Sequence, residues 1–323
     1  MMFYRRKILL ALLEAFGGSL DILDCQELLL LLCWRRGKHY YDFFPHSTGN
    51  KSFILAQDHH RLIDLGLLAA QENFQLAADG SHIDQLQATD RAVLYALVAE
   101  IGELSGEALL HKVVLEIPHY FSRSSHVKSL FPDQEYELFS ACWNQSQEPT
   151  FFTIGYEGLS IDAYLDLLIS NNVAALIDVR KNPLSMKYGF SKKRLAYFLS
   201  EADITYMHVS ELGIPSNLRH DLQDETDYRQ LFDFYSTHIL PAQLDYLIWL
   251  KQIAKDYKRV AITCFEAHHL CCHRHRIAAY LIKEPDFQMP IIHLRDESAC
   301  TVNQESKNTH NGLLGINTLY SSL

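Results

Sequence analysis

The chain has 323 residues and a formal net charge of −10. That length suits two domains better than one. The acidic balance excludes a protein that coats nucleic acid non-specifically, because such binding needs a broad cationic face. Hydrophobic residues at 48% and charged residues at 21% form an ordinary globular mix with enough apolar surface for a sizeable core.

The seven cysteines are odd in number and clustered, which points away from a disulfide scaffold and toward a reducing, cytoplasmic setting. The first residues, "MMFYRRKILLALLEAF", place basic residues before a short apolar run. Leu9, Leu10, Leu12 and Leu13 fit an amphipathic helix that continues past Glu14, so the run reads as a helix rather than a signal peptide. The run "ELLLLLCW" is far shorter than the roughly 20 residues of a membrane span, and no membrane partner is expected.

Residues 1–125 read as a helical module. "YRRKILLALLEAF" and "DCQELLLLLCWRRG" carry leucines at helical spacing. An aromatic loop with Pro45 and Gly49 follows. A third helix, "SFILAQDHHRLIDLGLL", has Ser52 as N-cap and Gly66 near its end. "AAQENFQLA" reads as a short extended hairpin and "ATDRAVLYALVAEIGEL" as a further helix. Two helices, a loop, a third helix and a short extended pair follow the order of a winged helix, with the third helix as the reader of a major groove. Arg35, Arg36 and Lys38 form a local basic cluster for such a role. Asp58 and Asp64 on the third helix speak against it, and packing on the second half of the chain or on a partner is the competing reading. The stretch "YYDFFPHSTGNKSFILAQDHHRLIDLGLL" also resembles Panacea and SocA-like antitoxin domains over about 30 residues.

Residues 126–149 read as a linker or packing arm that ends in the polar run "NQSQEPT". From residue 150 to 323 the pattern becomes α/β. "FFTIGYE", "AALIDVR", "ITYMHV", "RVAITCFE" and "MPIIHL" are short apolar strands that alternate with helices. This alternation predicts crossover connections and a mainly parallel sheet with helices on both faces.

In open parallel sheets ligands bind beyond the carboxyl ends of the strands, and here those ends are polar. The first strand runs out into Gly155 and Tyr156, the second into Asp178 and Arg180, the third into His208. The fourth runs into Cys264 and Glu266, with His268, Cys272, His273 and Arg274 after them. The blocks "TIGYEG", "LIDVRKNPLS", "YMHVSELG", "CFE" and "CHR" occur in the order found in the DUF488 family, which this half of the chain resembles over about residues 150–295. The resemblance implies an α/β domain and brings no established activity. "LIDVR" is also similar to rhodaneses, but their active-site cysteine loop is not found.

Three chemistries are open at this rim. Asp178 and Glu266 are candidates for an acid–base pair, with an ion-paired sheet edge as the alternative. Cys272, at a predicted helix start beside His273 and Arg274, is a candidate thiol nucleophile or half of a thiol–imidazole pair, with simple burial as the alternative. Cys264, His268, Cys272 and His273 offer ligands for zinc or iron. Arg180 and Arg274 are candidate anion anchors, extended by Lys187, Lys192, Lys193 and Arg194, and Tyr156 and His208 are candidate pocket groups. The function these residues predict is an enzyme acting on a phosphorylated, nucleotide or nucleic-acid-linked substrate. A DNA-binding or toxin–antitoxin-type regulator with a ligand-sensing α/β half is the alternative. An anionic small molecule, nucleic acid, or a protein bound through the N-terminal module are the expected partners.

Overall fold

The computed structural model describes residues 2–218 and 225–294. The chain divides into two compact units, Met1–Gln145 with Ser160–Ser170, and Ser146–Leu159 with the residues from Asn171 onward.

In the first unit, α1 (Tyr4–Ala15) buries six consecutive residues, Ile8 to Leu13. The leucine run of α2 (Ile22–Arg36) is likewise buried. Asp21 caps α2 by accepting from the Leu23 amide at 2.9 Å, and Gly37 ends it in the left-handed region at φ 61°. Strand β1 (Ser19–Leu20) lies between these helices. The aromatic loop folds into an antiparallel pair, β2 (Phe44–His46) with β3 (Gly49–Lys51). Then comes α3 (Phe53–Asp64), capped as expected by Ser52, whose Oγ accepts from the Leu55 amide at 3.2 Å. The predicted extended pair after α3 is present, with the Ala69 amide donating to the Gln75 carbonyl at 2.9 Å and the Ala77 amide to the Leu67 carbonyl at 3.0 Å. Leu68 bridges Leu76, and β4 (Phe74–Gln75) pairs antiparallel with β1. Helices α4 (Ala88–Ile101) and α5 (Gly106–Glu116) follow. Short helices α6 (Ser125–Leu130) and α7 (Asp133–Ser140) then bring Val127, Phe131 and Phe139 into the same core.

Two buried carboxylates organise α3. Asp58 accepts from Arg5 Nε at 2.6 Å, Arg6 Nε at 2.7 Å and the Tyr41 hydroxyl at 3.1 Å. Asp162 lies on α8 (Ile161–Ser170), which follows the first strand of the second half in sequence but belongs to the first unit. Its carboxylate accepts from Ser52 Oγ, the Phe53 amide and the Ile54 amide at 2.8, 2.8 and 3.0 Å. It therefore satisfies the open amides at the start of α3.

The second unit is built on five parallel strands. These are β5 (Thr150–Gly155), β6 (Ala175–Asp178), β7 (Thr205–His208), β8 (Arg259–Cys264) and β9 (Ile291–His293), in the order β7-β6-β8-β5-β9. Each of the five predicted strands is present, and the domain is α/β. Phe151, Ile177, Val260 and Ile262 form one core with residues of α10 (Glu225–Phe234), α11 (Leu244–Tyr257) and α12 (Arg274–Lys283). Phe152, Ile154, Leu176 and Ala261 point the other way by alternation and are just as deeply buried, so both faces of the sheet are covered. Helix α9 (Lys192–Ser200) follows β6 and contacts β7.

Candidate active site

The register of the sheet sets the rim. Asp178 is paired with both His208 and Thr263, and Gly155 with Cys264, so four strands stop at one level and their next residues leave the sheet together. Gly155 is required where it stands. A Cβ there would lie 1.7 Å from the Glu266 carbonyl oxygen and 3.1 Å from an Arg274 guanidinium nitrogen. The segment after β8 crosses directly over this glycine. It is pinned by Glu157, whose amide donates to the Phe265 carbonyl at 2.8 Å and whose Oε2 accepts from the Ala267 amide at 2.9 Å.

One side of the rim is a closed ionic network. Arg180 makes a fork on Asp178, Nε to Oδ1 at 2.8 Å and NH2 to Oδ2 at 2.6 Å, and its amide donates to Oδ1 at 3.1 Å. The Tyr206 hydroxyl donates to Oδ2 at 2.8 Å. Arg180 NH1 donates to the Tyr156 hydroxyl at 2.7 Å and the Phe190 carbonyl at 2.9 Å. The Tyr156 ring stacks on Phe190 at 4.3 Å. Burial works against the charge of Arg180, but Asp178 more than restores it, and the guanidinium is held above its ordinary value. Burial, then the Asp178 charge, pushes the Tyr206 hydroxyl well up. Asp178 and Arg180 are thus spent on each other. Arg180, read from sequence as an anion anchor, is 5% exposed and braces the sheet edge.

The other side is a cluster of weakly polar groups around β8 and the start of α12. His273 Nδ1 lies 3.6 Å from Cys264 Sγ and 3.8 Å from Cys272 Sγ. These three ligand atoms all fall within 4.8 Å of one another, and all three residues are buried. His273 Nε2 donates to the Val179 carbonyl at 3.1 Å. His275 Nδ1 donates to the Cys272 carbonyl at 2.5 Å, which fixes the backbone there. Burial, helped by the neighbouring Cys272 thiol, pushes the Glu266 carboxyl up to about 7. Burial and the contact with Cys264 push the Cys272 thiol up to about 11. The sequence suggested a thiol activated at a helix start. Instead Cys272 precedes α12 in extended backbone, is 1% exposed and is held toward its protonated form by burial. Arg274 also departs from its expected role. It has no exposed surface and donates to the Glu266 and Ala267 carbonyls at 2.5 and 2.7 Å, so it holds the segment rather than a ligand. His268 is not in the three-residue ligand cluster.

His208 joins the rim to the cationic segment after β6. Its Nε2 donates to the Arg180 carbonyl at 2.9 Å and its Nδ1 accepts from Lys192 Nζ at 3.0 Å. Lys187 Nζ donates to the Tyr156 carbonyl at 3.1 Å. Beside His208 a shallow cleft of about 330 Å³ is lined by Glu211, Asp245, Tyr246 and Trp249. Sequence reading missed this cleft and the role of Tyr206. Tyr206 was within reach of it, since it shares a strand face with His208, the residue opposite Asp178.

In the first unit, the two arginines of the basic cluster suggested for DNA are internally paired. Arg35 is held by Glu100 and Glu116, and Arg36 by Asp90 at 2.6 Å. Helix α3 exposes Gln57, His60, Arg61 and Asp64, with Arg61 and Asp64 3.7 Å apart, so that face has no net cationic character.

Fold and rim together define an α/β domain with a parallel sheet and titratable groups gathered at its strand carboxyl ends. The family model described as "Domain of unknown function DUF488" matches residues 160–281. The chain therefore carries a DUF488 domain, and the matched span holds β6, α9, β7, β8 and most of α12 but not the "TIGYEG" block. No curated protein and no solved structure matches the chain.

Proposed function

We propose that the α/β unit is an enzyme domain that acts on an anionic substrate of the phosphorylated or nucleotide class at the carboxyl ends of its strands. The observation that carries this reading is the start of α9. Its first turn holds Lys192, Lys193 and Arg194, all exposed, with no acidic residue among them. Cations at a helix N-terminus oppose the helix dipole, so the placement costs stability unless an anion is received there. Lys192 reaches His208, which ties that turn to the strand-end rim. Glu266 is the group suited to move a proton, since Asp178 is locked to Arg180.

The test is turnover of a panel of phosphate esters and nucleotides by wild type, Glu266→Gln and Lys192→Ala/Lys193→Ala. Glu266→Gln should cut turnover by about 10²–10⁴-fold with folding intact, and the double lysine variant should raise KM with little change in kcat. Turnover unaffected by Glu266→Gln would remove the acid–base role. No turnover or binding of any panel member would remove the reading.

A further inference from the structure

We infer that Cys264, Cys272 and His273 form a binding site for a thiophilic divalent cation, zinc being the ion that fits best. The inference goes beyond the proposed turnover and does not rest on it.

The first support is distance. With metal–sulfur and metal–nitrogen bonds of about 2.3 and 2.0–2.1 Å, a tetrahedral centre separates a sulfur ligand from a nitrogen ligand by about 3.5 Å. The two sulfur-to-Nδ1 distances are 3.6 and 3.8 Å. Both sulfur-to-nitrogen separations are therefore within a few tenths of an ångström of a tetrahedral ligand set before any ion is placed, and the two sulfurs lie within 4.8 Å of each other, where a tetrahedral centre would hold them about 3.8 Å apart.

The second support is orientation. A carbonyl oxygen accepts and never donates, so the contact of His273 Nε2 with Val179 O puts the ring proton on Nε2. Nδ1 is then the ring's lone-pair nitrogen, and it is the atom that faces both sulfurs. A metal-binding imidazole is held in this way, with its other nitrogen donating to a carbonyl. Without a cation, two thiols share one lone pair that accepts from a single S–H.

The third support is charge. Cys264, Cys272 and His273 are each 1% exposed. An isolated charge at such depth is costly. Binding a divalent cation with release of one proton from each thiol leaves two thiolates, a neutral imidazole and the ion, with no net charge. Two sulfurs and one imidazole nitrogen suit zinc rather than magnesium or calcium, which take oxygen ligands.

The test uses the full chain, purified untagged in reductant. Elemental mass spectrometry is run on wild type, Cys264→Ser and Cys272→Ser/His273→Ala. Chelator-stripped wild type is then titrated with Co²⁺ and followed by absorption. The expected result is stoichiometric zinc in wild type, loss of most of it in both variants, and a thiolate-to-cobalt charge-transfer band with the intense visible bands of a tetrahedral site. If the variants fail to fold, the cobalt spectrum of wild type decides alone. Wild type that neither retains zinc nor takes up cobalt would overturn the inference. So would variants that hold metal as well as wild type, or a Cys264–Cys272 disulfide in the native protein. Bound metal without turnover of the panel would count against the proposed function only. Glu266-dependent turnover without metal would count against this site only.

Discussion

The two sides of the rim sit on neighbouring strands of one sheet and solve the problem of buried polarity in opposite ways. Around Asp178 every strong group has a strong partner: the carboxylate takes three donors from Arg180 and one from Tyr206. Around Cys264 the groups are soft. Two thiols and one imidazole nitrogen converge with no strong charge among them. A fully satisfied buried network makes a rigid brace, whereas a cluster of soft ligand atoms serves for binding. Density of charged residues, which drew attention to both sides in the sequence, does not by itself distinguish a brace from a site.

The first unit repeats the lesson. Asp58 is buried and held by Arg5, Arg6 and Tyr41. Glu27 is buried on α2 with Oε2 lacking a hydrogen-bond partner among the described residues. Burial, together with Asp24 and Asp21 nearby, pushes its carboxyl up to about 8.

The largest effect expected from breaking this contrast comes from the brace. Asp178→Asn leaves the Arg180 guanidinium buried without its counter-charge and should cost about 3–5 kcal/mol in equilibrium unfolding. Replacing both partners, Asp178→Asn with Arg180→Met, should cost less than the sum of the single changes, as a double-mutant cycle would show. Next is Gly155→Ala. Its methyl group cannot coexist with the Glu266 carbonyl, so overpacking of about 1–3 kcal/mol is expected. The displaced segment should also make Cys264 and Cys272 react faster with a thiol reagent. Tyr206→Phe removes one donor to a charged acceptor and should cost about 1.5 kcal/mol, with the fold unchanged.

The smallest effect is a pH dependence in the first unit. The folded Glu27 carboxyl is raised, so the chain binds that proton more tightly folded than unfolded. Its contribution to stability is complete below the ordinary glutamate range and is lost as pH rises through about 8. Glu27→Gln should therefore gain stability relative to wild type as pH rises through that window. Urea midpoints at pH 6 and at pH 9 check this, and an equal difference at both would count against it.

Much of the second unit was legible because a parallel sheet writes itself as short apolar runs whose ends turn polar. All five predicted strands and the residues at their ends follow from that pattern. What could not be read was which end residue faces which. The Asp178–Tyr206 contact depends on the register of β6 against β7. The His273–Val179 contact joins residues 94 positions apart. The first unit was less legible for a similar reason. Residues 88–101 formed the expected helix. But the start of α3, read from sequence only as capped by Ser52, is also held by Asp162, more than a hundred residues downstream. Arg35 and Arg36 looked available beside Lys38, yet their acidic partners lie on α4 and α5.

The most direct measurement is equilibrium urea unfolding of Arg180→Met and Glu266→Gln side by side, on the full chain in reductant. The expected result is a loss of about 3–5 kcal/mol for Arg180→Met, which strands a buried carboxylate, and less than about 1 kcal/mol for Glu266→Gln, which keeps the side chain's size and shape and replaces a carboxyl that burial already pushes toward its neutral form. A Glu266→Gln loss as large as that of Arg180→Met would make both sides of the rim structural. That result would contradict the division between brace and site.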